Sequence, residues 1–372
     1  MSVHSLIVGG SSAKRVINCP GSVTLAAQAP PRPASAYADE GTLLHDVIAE
    51  ILKYDYPPEV FLGKTYGSAT LTQDLIDDKL VPALALFDAI DSDRTMDFQI
   101  EQRVDFGRFL PGVFGSADIV ARRGNTAMVI DWKFGSGVIV DAEENDQLLF
   151  YAAAAMRTEA TKWAFAGASE VELIIIQPPQ VRRWTTTLDR LKRFETELRA
   201  AVQSSKATDA PLKSGDWCRW CPASATCPQL TGQVDRVIRT RLKEVDPLQL
   251  SDLLDKAVAL EEWLEAAREL ATSLLNQGIP VPGYKLVQKR AQRVWADEDN
   301  ARATLAGLGM TTDAMYDIKF KTPAAMEKAL KQKIPSDLVT SVSSGTTLAP
   351  DTDPRPAVPL IGVQLKQALT RI

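Results

Sequence analysis

Histidine is almost missing from this chain. Its 372 residues hold two, His4 and His45, and cysteine is nearly as scarce at four. Four cysteines are too few for the disulfide frameworks that staple small secreted folds. Nothing near the N-terminus joins a basic segment to an apolar run as a secretory leader would, and no apolar run approaches the roughly 18 residues of a membrane span. These absences lead us to expect a soluble protein of a reducing, cytoplasmic compartment with no membrane partner. Excess positive charge is also lacking: the formal net charge of −5 excludes a generally basic nucleic-acid coat protein but leaves room for a local basic channel. No internal repeat is found. A phosphate-binding P-loop is missing too, because "GKT" at 63–65 has the right ending but Pro58 stands where the motif needs its leading glycine. No ATPase motor is expected.

What is present suits a large folded protein. A chain that is 45% hydrophobic over this length can bury a substantial core, and the length suggests two or three folding units. Periodicity predicts a helix over 39–52, where Leu44, Val47, Ile48, Ile51 and Leu52 share a face, and another over 72–90. Between 96 and 134 the character changes to three short runs rich in β-branched and aromatic residues, "MDFQIEQRVDF", "VFGSADIVARR" and "TAMVIDWKF", which read as a β-meander. Then follow a helix over 142–157, strands over 171–179 and 182–188, and a helix over 189–203. The order predicts an α/β fold, a mixed sheet flanked by helices, with a mainly helical C-terminal extension. Four segments are expected: 1–38 as an N-terminal arm, 39–230 as the core, 231–334 as a helical region, and 335–372 as an extended tail with a short terminal helix.

The chemistry concentrates in the meander. Asp118 ends "GSAD", and Asp131 and Lys133 stand two apart in "DWK", so on a strand their side chains project from the same face. Two carboxylates on neighbouring strands can hold a hard divalent cation, and an adjacent ammonium can stabilise charge on a phosphate. Alone, an Asp-x-Lys pair is more often a solvated ion pair than a catalytic one. Gln147 and Tyr151 lie four apart on the following helix and share its face, while His45 sits in the apolar run "GTLLH", as either a satisfied core residue or a nitrogen ligand. Glu101, on the preceding strand, is a further candidate acting through a bound water, although a surface glutamate is the plainer account.

In order, "GTLLH", "GSAD", "DWK" and "QLLFY" resemble the motifs of RecB-type nucleases of the PD-(D/E)xK superfamily over roughly residues 15 to 230. The resemblance implies a restriction-endonuclease-like core, with His45, Asp118 and Asp131 as ligands of Mg²⁺ or Mn²⁺. It also implies Lys133 as the catalytic lysine, and Gln147 and Tyr151 as supports of the site or of the DNA backbone. The implied reaction is phosphodiester hydrolysis in DNA, by exonuclease action, with a DNA-binding or assembly protein that keeps the nuclease fold as the alternative and RNA as a further substrate class. A helicase, a single-strand-binding protein or a recombination protein is an expected partner for a nuclease without its own motor.

Three cysteines crowd into "DWCRWCPASATCP". From spacing alone, Cys218, Cys221 and Cys227 with the distant Cys19 suit zinc as well as iron. The AddB-type helicase-nuclease subunits and CRISPR-associated adaptation nucleases, which this branch resembles, place one cysteine before the core and three after it around a [4Fe–4S] cluster. That resemblance implies Cys19, Cys218, Cys221 and Cys227 as ligands of a structural cluster closing a very long loop. Trp217 and Trp220 are expected to shield it from water, with stacking on bases as the alternative.

Farther on, a long amphipathic helix is expected over 250–278, a strand or hairpin over 283–295, and helices over 297–309 and 322–333. The strand carries Lys285, Lys289, Arg290 and Arg293, read either as a solvated charged face or as a wall contacting DNA phosphates. The C-terminal half, through "DPRPAV", also resembles a phage and prophage family of RecB-like proteins designated only as a domain of unknown function, which implies a role in phage recombination, replication or repair.

Overall fold

The computed structural model describes residues 5–30, 36–135, 139–232, 247–287 and 298–307, with 326–327, 335 and 338. It divides into two compact units, Met1–Val287 and Gln288–Ile372, and the elements carrying His45 through Cys227 lie in the first.

That unit opens with α1 (Ala13–Asn18), α2 (Ser22–Gln28) and the long α3 (Ala36–Tyr54). The failed P-loop motif begins in a short 3-10 turn at Pro58–Phe61, and its last residue opens a small hairpin, β1 (Thr65–Tyr66) with β2 (Ala69–Thr70). The predicted helix over 72–90 is interrupted: α4 (Gln73–Leu75) passes through a wide π turn at Ile76–Leu80 into α5 (Val81–Ile90). Pro82 explains the interruption, since it has no N–H to bond the carbonyl one α-turn behind it.

The sheet has five strands: β3 (Asp97–Asp105), β4 (Phe114–Arg123), β5 (Thr126–Trp132), β6 (Glu170–Gln177) and β7 (Gln180–Thr186). They lie in chain order, antiparallel except for the parallel pair β5–β6. A parallel pair needs a crossover, and α6 (Asp146–Arg157) lies in it. The helix α7 (Leu188–Ser204) follows β7. This is the expected mixed α/β sheet flanked by helices.

Alternation along the strands sorts the core into two layers. Val120, Val129, Leu173 and Ile175 pack with residues of α1, α6 and α7, such as Val16, Leu148 and Phe194. On the other face Ile119, Met128, Ile130, Trp132, Ile174 and Ile176 meet Leu43, Leu44, Val47 and Ile48 of α3 and Leu80 and Phe87 of the 73–90 segment. The central strands β5 and β6 are covered on both faces, which accounts for their nearly continuous apolar runs.

The start of α6 differs from the sequence expectation of residue 142. Asn145 caps the helix, its side-chain oxygen accepting from Gln147 N at 3.1 Å and Leu148 N at 3.2 Å, and the residue before it, Glu144, has φ +48°. Farther along, α8 (Pro247–Asn276) matches the long helix expected over 250–278, with Gly278 beyond it at φ +78°. The strand or hairpin expected over 283–295 is not found in its described part, 283–287, which is irregular and exposed. Pro280 and Pro282 withhold donors there, and the chain turns with Tyr284 N on Val281 O at 3.0 Å. The rest of that segment, and most of the helix expected over 322–333, lie outside the described residues. In the second unit, α9 (Glu298–Gly307) falls within the helix expected over 297–309.

Candidate active site

Four elements deliver the candidate residues to one place. The apolar face of α3 docks on the sheet and leaves His45 at its border, half-buried and edge-on to the Phe134 ring at 5.4 Å. Neighbouring strands β4 and β5 carry Asp118 and Asp131, which are 8% and 2% exposed. Lys133 follows β5 directly, and the capped first turn of α6 presents Gln147.

The contacts form a chain. His45 Nδ1 is 3.4 Å from Asp118 Oδ2, and the same oxygen accepts from the backbone N–H of Trp132 at 2.8 Å. Lys133 Nζ stands 2.6 Å from Asp131 Oδ2 and donates to Gln147 Oε1 at 3.1 Å. The Gln147 amide in turn donates to Asp131 Oδ1 at 3.2 Å and to the Tyr151 hydroxyl at 3.1 Å. Sequence pairing of Gln147 with Tyr151 thus corresponds to a direct contact.

Glu101 has a larger place than its sequence context suggested. It sits opposite Asp118 in register, between the pairs Ile100 with Ile119 and Gln102 with Ala117, yet the two do not pair. Its φ of +50° takes the backbone out of the strand conformation, an arrangement that costs about 1–3 kcal/mol for a non-glycine residue. In that position its carboxylate accepts from Ser116 Oγ at 3.1 Å and joins His45 and Asp118, with one ligand atom from each of the three lying within 4.8 Å of the others. Asp131 stands beside this trio with its oxygens turned to Lys133 and Gln147.

Charges are strongly coupled here. Burial pushes the His45 imidazole down, but the carboxylates of Asp118 and Asp131 outweigh it and raise its pKa from 6.5 to about 9. Burial would raise Asp118, yet His45 and the Trp132 N–H hold it below the ordinary carboxylate value. Asp131 goes the other way, raised by burial and by the charge of Asp118. Burial opposes the Lys133 ammonium, but Asp131 overcomes that and raises its pKa. Glu101 is raised by desolvation and by Asp118.

One requirement of the site was not legible in the sequence. Tyr151 lies against the backbone of Gly10, where a Cβ would come within 2.5 Å of its ring. The glycine of "GSAD", Gly115, faces the same ring, with a Cβ position 3.1 Å away. Close approach, rather than a turn, makes these positions glycine. Lys79 is a second unforeseen contributor: it pairs with Glu40 and donates to the Phe134 carbonyl at 3.0 Å, tying the 73–90 segment to the chain just past Lys133.

The four cysteines are buried, carry no disulfide, and line one cavity with Trp217 and Leu230. Lys213 N donates to Cys19 Sγ at 3.4 Å. Burial and the neighbouring thiols push the Cys218 thiol up to about 11. Trp263 of α8 donates to the Ala225 carbonyl at 3.2 Å and packs against this cluster. Trp217 covers the thiols as expected, but Trp220 does not: it is 73% exposed. Of the four proposed phosphate contacts, one lies among the described residues. Lys285 is exposed on the irregular segment, and Lys289, Arg290 and Arg293 lie outside what is described.

A family described as a protein of unknown function, DUF2800, matches residues 4–356. The chain belongs to the DUF2800 family. Two solved structures are similar to this DUF2800 protein. One, named SSO0001, is 15% identical, with 61% of this chain and 89% of that one covered and a TM-score of 0.28. The other is a phage-related exonuclease from Haemophilus somnus 129PT, 11% identical, with coverages of 54% and 94% and a TM-score of 0.25.

The His45 pair gives a pH signature for the DUF2800 protein stripped of divalent cations. A raised histidine pKa means that the stabilisation it provides is complete below 6.5 and drains away as the pH rises through about 9. Proton NMR titration should find the His45 imidazole still protonated at neutral pH. Asp118→Asn removes the main charge opposing burial, so His45 should then titrate well below its position in the parent. An unchanged midpoint in that variant would show that the pair is not electrostatically coupled.

Proposed function

We propose that this protein is a metal-dependent deoxyribonuclease of the PD-(D/E)xK type that hydrolyses phosphodiester bonds. The observation that carries the proposal is the grouping of His45, Asp118 and the exposed Glu101 within ligand reach of one another, beside the buried Asp131 and its partner Lys133.

The donor set fits a divalent cation. Carboxylate oxygens suit Mg²⁺ or Mn²⁺, and an imidazole nitrogen favours the latter. Asp131, whose oxygens face Lys133 and Gln147, stands beside the trio. His45, Glu101 and Asp118 would hold the ion, with Asp131 completing the set, and His45 must shed its proton to do so. When bound, the cation polarises the scissile phosphate and lowers the pKa of an attacking water.

The chain's own groups supply the rest. Lys133, kept as an ammonium by Asp131, places positive charge where negative charge develops on the phosphoryl oxygens and orients the attacking water. Its raised pKa disfavours a role as general base. Gln147 fixes both partners at once, and Tyr151, seated on Gly10, fixes Gln147.

The cysteine cavity fits a soft metal centre, because four sulfurs from two distant parts of the chain line one cavity and a backbone N–H donates to one of them. We assign it a structural [4Fe–4S] cluster that staples the N-terminal arm to the end of the core, with zinc as the competitor. Exonuclease action, a role in phage recombination, replication or repair, and a helicase, single-strand-binding or recombination partner rest on the family resemblance of the motifs.

The direct test is cleavage of end-labelled DNA by anaerobically purified protein with Mg²⁺ or Mn²⁺. Lys133→Ala should slow cleavage by about a hundredfold or more while leaving the unfolding transition in place. Absence of cleavage by the parent protein with its metal centre intact would favour a DNA-binding scaffold. The cluster has its own readout: the parent protein should be brown and carry about four irons per chain, and Cys19→Ser should lose them. Full zinc occupancy without iron would reassign the site.

A further inference from the structure

Beside the active site an open groove runs from Gln147 to the cysteine loop. Its lining includes Ser11, Ser12 and Lys14 at the first helix and Trp217 and Trp220 on the loop. One end is therefore the glutamine that holds Asp131 and Lys133, and the other is an indole with no covering layer.

The two tryptophans of the loop divide their work. Trp217 is half-buried against Cys218, Cys227 and Leu230, and its Nε1 donates to the Lys213 carbonyl at 3.0 Å. Trp220, three residues on, is the one exposed tryptophan among the described residues, at 73%. It takes no part in the apolar packing around the cysteines. Protecting the thiols therefore does not account for it. The Arg219 guanidinium lies 5.2 Å from its ring centre and adds positive charge beside the indole.

Lys14 pairs with Asp216 across the groove, and both side chains are largely exposed, at 51% and 68%. Such a solvent-screened pair is weak, so a phosphate can take the place of the carboxylate at small cost. A flat aromatic face, a nearby cation and an ammonium whose carboxylate partner can be displaced are the elements of a single-strand nucleic-acid path, in which phosphates are held electrostatically and bases stack without sequence preference.

We propose that this groove is a binding subsite for unpaired nucleotides of a DNA strand, with Trp220 as the stacking platform and Lys14 as a phosphate contact. It rests on the nuclease function above and deepens it, by leading a single strand toward Gln147. A base inside a duplex has its faces covered by its neighbours, so the platform selects unpaired or frayed ends.

The test uses the full-length protein, anaerobically purified with its metal centre, without divalent cation so that no cleavage occurs. Fluorescence anisotropy of a labelled oligo(dT) and of an abasic strand of equal length reads binding. Trp220→Ala should weaken oligo(dT) binding by about tenfold and leave the abasic strand unchanged, while Trp220→Phe stays near the parent. Lys14→Ala should weaken both strands alike and reduce the salt slope by about one. The proposal is overturned if the parent does not bind oligo(dT), if Trp220→Ala binds it as the parent does, or if that variant loses the abasic strand equally. A blunt duplex with the same Trp220 dependence would also overturn it. Base-dependent binding without cleavage in Mg²⁺ or Mn²⁺ would sink the nuclease and leave the subsite standing; cleavage without Trp220-dependent binding would do the reverse.

Discussion

Two carboxylates, Asp118 and Asp131, are buried on adjacent strands of a sheet whose two faces each pack into an apolar layer. Burying an ion costs several kcal/mol unless charge and hydrogen bonds compensate, and removing one partner from such a group leaves the other exposed to that cost. Here the compensation comes from every direction: His45 from α3, the Trp132 backbone from β5, Lys133 beyond it, and Gln147 from α6. Much of the surrounding architecture can be understood as holding those four in place. Asn145 fixes the turn that presents Gln147, Gly10 and Gly115 leave room for the tyrosine that holds it, and Lys79 secures the chain past Lys133.

Compensation is uneven. Asp118 is held ionised by a histidine and an N–H, whereas Asp131 is pushed towards the neutral form by burial and by Asp118, despite the Lys133 ammonium and the Gln147 amide. Glu101, in a strained backbone conformation, brings a third acid to the same spot, where it is pushed towards neutrality as well. Three acids against two bases is a poor arrangement for a resting ion-pair network. It is a sound one for a cavity meant to receive a cation, because each acid gains when positive charge arrives.

Much of this was legible in the sequence. The β-branched meander and the period of the helices follow from local rules, while His45, Asp118, Asp131, Lys133, Gln147 and Tyr151 stand out as a set through the resemblance of their ordered motifs, and the structure brings all six together. What was illegible depended on distant contact. Gly10 is needed because of a ring 141 positions away in sequence, and Glu101 matters because its backbone departs from the strand, which no local pattern announces. The π turn before Pro82 and the late start of α6 are boundary effects of a missing N–H and a capping asparagine. The strand expected over 283–295 is absent from its described part, where Pro280 and Pro282 lead the chain into a turn.

The central claim is that the acids and the imidazole form one cation site. The most direct measurement is anomalous diffraction from crystals of the protein soaked in Mn²⁺. The account predicts a strong peak bounded by His45, Glu101 and Asp118 and adjacent to Asp131, with Lys133 outside the coordination sphere. No peak at that position, or one that persists unchanged in Asp118→Asn crystals, would contradict it.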